Sequence, residues 1–125
     1  MGNTAQTDDR PLAVTMGCPA GIGPEIICRL FNRADAHRDG PAIVVGDPGM
    51  LGRAAEQLGI TLELVSWRPG DPIRSGTLPV CQTTPFDSDA VTWGRPEAAT
   101  GRAMAGWIEA AVRLTRDGIC SAVVT

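Results

Sequence analysis

The chain has 125 residues, a net charge of −3 and an apolar fraction of 43%, with mean hydropathy close to zero; this is the composition of one folded domain and excludes a disordered chain. No apolar run reaches the roughly 18 residues a membrane span needs, the polar head lacks the basic-then-apolar plan of a signal peptide, and the basic residues are scattered singly, so the sequence predicts a cytoplasmic protein with neither membrane nor nucleic acid as partner. All 11 basic residues are arginine, which removes a P-loop lysine, a Schiff-base lysine and a lysine general base from this chain.

Residues 1–10 are polar and aperiodic and read as a flexible tail; residues 11–125 read as an α/β domain. Leu12-Ala13-Val14-Thr15 is a short apolar strand, expected to be covered on both faces. It enters a glycine-punctuated turn, residues 17–23, and a helix beginning at Pro24, with Glu25 placing a negative charge in the first turn. Ile26, Ile27, Leu30, Phe31 and Ala34 predict the face that lies on the sheet. After the Asp39-Gly40-Pro41 break, Ala42-Ile43-Val44-Val45 is a second buried strand. Asp47 is then placed to cap a helix whose first residue is Pro48, whose buried side carries Leu51, Ala54, Ala55 and Leu58, and whose terminator is Gly59.

Residues 60–65 alternate apolar and polar and predict a half-exposed strand near an edge. From residue 66 to 94 prolines and glycines leave room only for a short strand at residues 78–81, and Trp67 and Trp93, which bracket the irregular stretch, are expected to anchor it by packing. The longest helix runs from Pro96 to about Asp117. Ala99, Ala103, Trp107, Ile108, Ala111, Val112 and Leu114 mark its apolar face, with Gly101, Ala105 and Gly106 small enough for close approach. Gly118 ends it, and residues 119–124 form a last strand. The alternation predicts a three-layer α/β fold, a mostly parallel sheet with helices on both faces, with ligands outside the carboxyl ends of the strands. A chain whose last strand stops at Thr125, where a binding loop would begin, is expected to be incomplete.

The segment Gly17, Cys18, Pro19, Ala20, Gly21, Ile22, Gly23 could offer backbone N–H groups to an anion beside a helix N-terminus. It is not a dinucleotide fingerprint, because Ile26 stands where the third glycine would be, and no lysine follows to make a Walker loop. Its spacing suits ligand contact and a tight structural turn equally. Cys18 lies ahead of the helix start, where a thiol can be activated, but no histidine or lysine is near in sequence to serve it. Glu25 reads as a dipole partner rather than a base, and Asp47 as a cap rather than a metal ligand. Cys28 and Cys120 read as small buried hydrophobes in a reduced chain, and the lone His37 as a solvated residue that cannot build a metal site.

Three segments together resemble one family: TMGCPAGIGPEI from Thr15, VVGDPGML from Val44, and the late helix GRAMAGWIEAAVRL running into GICSAVVT. They are similar to the N-terminal part of the 4-hydroxythreonine-4-phosphate dehydrogenases of pyridoxine (pyridoxal-phosphate) biosynthesis and their paralogues acting on other hydroxy acids or cis-dihydrodiols. The family's usual pattern, G-[DE]-P-x-G-I-G-P-E after a strand, is matched by Gly17, Pro19, Gly21, Ile22, Gly23, Pro24 and Glu25, and departed from at Cys18.

The resemblance implies part of an isocitrate/isopropylmalate dehydrogenase-like fold, a homodimer, NAD (or NADP) as oxidant, and a divalent metal ion. It further implies that metal, substrate-phosphate and catalytic groups lie in the remainder of the parent polypeptide, with none in this chain. Gly17, Cys18, Pro19, Gly21, Gly23, Glu25 and Asp47 are then the residues bordering the cleft for a small-molecule substrate, a phosphorylated hydroxy acid or a cis-dihydrodiol, and the fragment alone is expected to be inactive. The rival expectation is a non-catalytic α/β module that binds a phosphate or nucleotide and pairs with a second chain.

Overall fold

A computed structural model of the chain describes residues 8–125, so most of the expected tail lies outside the described residues; Asp8 and Arg10 within it form an exposed ion pair at 2.7 Å. The elements are β1 (Leu12–Thr15), α1 (Gly23–Phe31), β2 (Ala42–Val45), α2 (Pro48–Leu58), β3 (Glu63–Ser66), β4 (Thr77–Cys81), a short 3-10 turn (Ser88–Ala90), α3 (Ala98–Arg116) and β5 (Ala122–Val124). The strands form one sheet in the order β3-β4-β2-β1-β5, and every pairing is parallel. β2, whose four residues are all buried, is the middle strand.

Strand order fixes where the helices lie. The β1-to-β2 and β2-to-β3 connections run toward one edge and the β4-to-β5 connection runs toward the other. Right-handed crossovers therefore put α1 and α2 on one face and α3 on the opposite face. The packing agrees, with α1 against α2 and α3 against β1, β2 and β5. The half-exposed strand of the sequence is the edge strand β3. The short strand expected from residue 78 is an interior one, β4, buried along its whole length although it contains Pro79. An interior proline is tolerated because the β2–β4 ladder covers only Val44↔Val80 and Val45↔Cys81, beginning just past the residue that has no N–H to give.

β3 reaches β4 without a helix. Trp67 takes that role: it is 4% exposed, donates Nε1 to the Asp71 carbonyl at 3.1 Å, and gives its backbone N–H to Val80 at 2.9 Å. Trp107 of α3 is buried on the sheet, and Phe86 meets it edge-on at 5.6 Å.

Several faces differ from the sequence pattern. On α1 the buried residues are Pro24, Ile27, Cys28 and Phe31, while Ile26 and Leu30 are 55% and 43% exposed and Ala34, beyond the helix end, is exposed. A nine-residue helix with apolar residues on two adjoining faces can turn only one inward, and α1 turns the one that meets α2. That choice leaves the Leu12 and Val14 face of β1 only partly covered. On α3, Ala99 and Val112 are exposed and Ala103, Ile108 and Leu114 half-buried. A side chain added at Gly101 or Gly106 would meet nothing and Ala105 is exposed, so no close approach occurs there.

His37 is not a solvated residue. It is half-buried, its ring is edge-on to Phe31 at 5.4 Å, its Nδ1 accepts from the Ala42 N–H at 3.4 Å and its Nε2 donates to the Thr77 carbonyl at 3.1 Å. The neutral Nε2–H tautomer satisfies both bonds and ties the entry of β2 to the entry of β4. Cys28, Cys81 and Cys120 are buried free thiols, as small hydrophobes should be. Burial pushes the Cys28 thiol up to about 11.

Candidate functional site

Because all five strands are parallel, their carboxyl ends share one rim. β1 delivers residues 16–23 to it, β2 delivers Gly46 and Asp47, β4 delivers Gln82, and β5 delivers Thr125. The hydroxyls of Thr15 and Thr125 are hydrogen-bonded across it at 2.7 Å. β2 and β4 are neighbours whose outgoing chains cross to opposite faces, so the crevice between their ends is a topological switch point, where open α/β sheets bind ligands.

The two loops flanking β1 and β2 are built around Met16. A side chain on Gly23 would put its Cβ 2.2 Å from the Met16 carbonyl oxygen, and one on Gly46 would put it 2.6 Å from Met16 Cβ. Only glycine lets both helices start this close to the strand ends. Pro19 is fully buried and Cys18 half-buried; the Cys18 carbonyl accepts the Gly21 N–H at 3.0 Å, which closes the turn. Gly17 carries it through a positive φ of 77°. Glu25 is half-buried in the first turn of α1. This helix has no side-chain cap, and among the described residues the N–H groups of Ile22, Gly23 and Glu25 meet no acceptor. They leave a positive helix end open at the rim.

Asp47 is used up instead. It is 3% exposed, accepts the Met50 N–H at 2.9 Å as the cap of α2, and receives Gln82 Nε2 at 3.4 Å. Burial pushes its carboxyl up from the ordinary value, opposed by the backbone N–H groups of Met50 and Gly49. Both of its oxygens are engaged, and it organises the switch point. The structure thus gathers Gly17, Cys18, Pro19, Gly21, Gly23 and Glu25 on one loop and sets Asp47 apart in the next. Cys18 has no histidine to activate it, since His37 is bonded to the first residue of β4 at the opposite end of the sheet.

The sequence pattern does not single out the third wall of the rim, the segment 82–97. Arg53 of α2 donates to the carbonyls of Ser88 and, at 3.1 Å, Val91, and its guanidinium lies over the Trp93 ring, 5.2 Å from the centroid. The Gly94 N–H reaches the Ala20 carbonyl at 2.8 Å, joining this segment to the loop after β1. Trp93 does anchor the stretch, but through an arginine on another helix.

No family model matches the chain. It is 37% identical to a 4-hydroxythreonine-4-phosphate dehydrogenase of Methylorubrum populi over 121 residues, 95% of this chain and 35% of that protein. The chain therefore spans about a third of the length of the curated relatives it matches. The crystal structure of a 4-hydroxythreonine-4-phosphate dehydrogenase from Burkholderia phymatum superposes with a TM-score of 0.84 at 24% identity, over 91% of this chain and 35% of that one. A terephthalate 1,2-cis-dihydrodiol dehydrogenase from Burkholderia xenovorans superposes with a TM-score of 0.66 at 27% identity, over 91% and 32%. The chain forms part of an isocitrate/isopropylmalate dehydrogenase-like fold.

Proposed function

We infer, from a chain that belongs over its own length with the 4-hydroxythreonine-4-phosphate dehydrogenases, that it forms one wall of the cleft of a dehydrogenase acting on the secondary alcohol of a phosphorylated hydroxy acid. The observation that carries this reading is the open rim at the ends of β1 and β2, where the uncapped N-terminus of α1 lies beside a switch point organised by Asp47 and Gln82. In this reading the loop 17–23 lines the cleft and, with Glu25, offers the open N–H groups of Ile22, Gly23 and Glu25, while Asp47 holds the second loop in place.

NAD as hydride acceptor and a divalent ion polarising the alcohol are part of the proposal for the whole protein. The described residues contain no group of three or more histidine, cysteine, aspartate or glutamate side chains able to hold a metal. A homodimer belongs to the same proposal.

A chimera tests it. The aligned stretch of the Methylorubrum populi protein is replaced by this chain, and NADH formation is followed with 4-hydroxythreonine 4-phosphate and a divalent ion. Retained turnover supports the reading, and a folded but inactive chimera overturns it. The isolated 125-residue chain, assayed in parallel, should form no NADH; turnover by it alone would move the catalytic groups into this chain.

A further inference from the structure

The face of the sheet that carries α1 and α2 is covered unevenly. Cys28 Sγ donates to the Leu51 carbonyl at 3.4 Å, so that side of α1 faces α2. Ile26 and Leu30 stand two residues before and two after Cys28, about 200° around the helix from it, and so face away from α2. Strand order puts β4 and β3 on the α2 side of α1 and β5 on the other side. The two exposed side chains therefore look toward the β5 edge of the sheet.

Beside them lies a strip of sheet that no helix covers among the described residues. Leu12 pairs with Ala122 and Val14 with Val124, so the four share one face of β1 and β5. The opposite face is the one on which α3 packs, and Ala13, which alternates with Leu12 and Val14, is fully buried there. Leu12, Ala122 and Val124 are exposed and Val14 is half-buried. Among the described residues the outer edge of β5 meets no strand, and residues 121–125, Ser-Ala-Val-Val-Thr, hold no charged side chain or proline to guard it. The other edge strand is guarded, since Glu63 of β3 is ion-paired with Arg74 at 3.1 Å. An apolar floor on β1 and β5, an apolar wall on α1 and an unguarded strand edge along the far side make a groove of the shape that one more helix and one more strand of an α/β sheet would fill.

We propose that this groove seats a helix and an added strand from the portion of such dehydrogenases that has no counterpart in this chain. The helix lays an apolar face on Leu12, Val124, Ile26 and Leu30, and the strand pairs with the outer edge of β5. The stretch matched here is 35% of the Methylorubrum populi protein, which leaves about two thirds of such a protein to supply both. The proposal rests on the reading of this chain as one wall of a larger enzyme, and not on the reaction assigned to that enzyme.

The test compares this chain alone with the chimera described above. In the chain alone, the β5 amides that point away from β1 should exchange freely, and Ile26→Ser combined with Leu30→Ser should change the unfolding constant less than about threefold. In the chimera the same amides should exchange at least about tenfold more slowly, and the double variant should bring them back to within about threefold of the chain alone. Leu30→Met should keep the protection. Equal exchange in chain and chimera overturns the proposal, as does protection that the double variant leaves untouched. In sedimentation the chain alone should be a monomer; a dimer that the double variant dissociates would give the groove to a second copy and overturn the proposal. If the chimera does not fold, the chain is mixed with the complementary portion of the Methylorubrum populi protein. The two should co-elute in gel filtration and the double variant should separate them, whereas separate elution of the parent chain overturns the proposal. Turnover by a chimera whose β5 amides stay unprotected would overturn the docking and leave the dehydrogenase reading standing. Protected β5 amides in a folded chimera without turnover would do the reverse.

Discussion

β1 enters α1 and β2 enters α2 through junctions made of the same parts: a strand end, a glycine pressed on Met16, and a proline in the first helical turn. The second junction is closed. Asp47 caps α2, Gln82 closes over the carboxylate, and the side of α2 carrying Met50, Leu51, Ala54 and Ala55 is buried. The first is left open, with Ile22 at the cap position, no side-chain cap, and apolar side chains turned outward at Ile22, Ile26 and Leu30. The closed junction secures the scaffold. The open one keeps N–H groups for something else and forgoes the stability that a cap contributes.

The contact of both glycines with Met16 gives the sharpest way to break this comparison. Gly23→Ala drives a Cβ into a main-chain oxygen that cannot rotate away, and should lose about 3 kcal/mol in urea unfolding. Gly46→Ala drives it less closely, against Met16 Cβ, which the backbone also holds in place, and should lose about 2 kcal/mol. If the order were reversed, the α1 junction would be the more adaptable of the two.

The caps come next. Asp47→Ala should cost about 1.5 kcal/mol at neutral pH, whereas Asp47→Asn keeps an accepting oxygen and should cost less. The pH dependence separates charge from geometry. Burial raises the folded carboxyl above its unfolded value, so the native state holds the proton more tightly. The stability this gives is complete below the ordinary carboxylate range, near 4, and is lost as the pH rises through the raised folded value. Asp47→Asn should remove that decline, so its unfolding free energy relative to the parent improves with rising pH across this window. A parallel pair of curves would mean that the carboxylate is better solvated than its surroundings suggest.

What could be read from the sequence follows the same division. The β2 run Ala42-Ile43-Val44-Val45, the Asp47-Pro48 start and the Gly59 stop are local signals, and each element stands where they put it. Pro79 argues against an interior strand because propensity does not record where a ladder begins. Ile26 and Ile27 are equally apolar, and only the position of α2 decides which of them is covered. The rim's third wall depends on Arg53, whose partners lie 35 and 38 residues away, and His37 reaches 40 residues to Thr77. No periodicity predicts a cation or a ring bonding to a distant carbonyl.

Arg53→Met tests that third wall. The methionine keeps much of the apolar stem but gives up both carbonyl bonds and the contact with Trp93. The loss should be about 1 kcal/mol, since the freed carbonyls can be hydrated. Amide exchange should quicken over residues 86–95 while β2 and β4 stay protected. Uniform quickening across the sheet would make Arg53 part of the global fold instead of a local clamp.

The smallest effect is expected at Ile26. Its side chain is 55% exposed on α1, one residue before Ile27, which is 4% exposed. Ile26→Ser removes an apolar side chain that already meets water for most of its surface, and serine lowers helix propensity little relative to isoleucine. The change in unfolding free energy should stay within about 0.5 kcal/mol. A loss comparable to that of a buried aliphatic residue, measured with this chain alone, would mean that the outward stripe Ile22, Ile26 and Leu30 is covered in solution, and that the junction of β1 with α1 is closed after all.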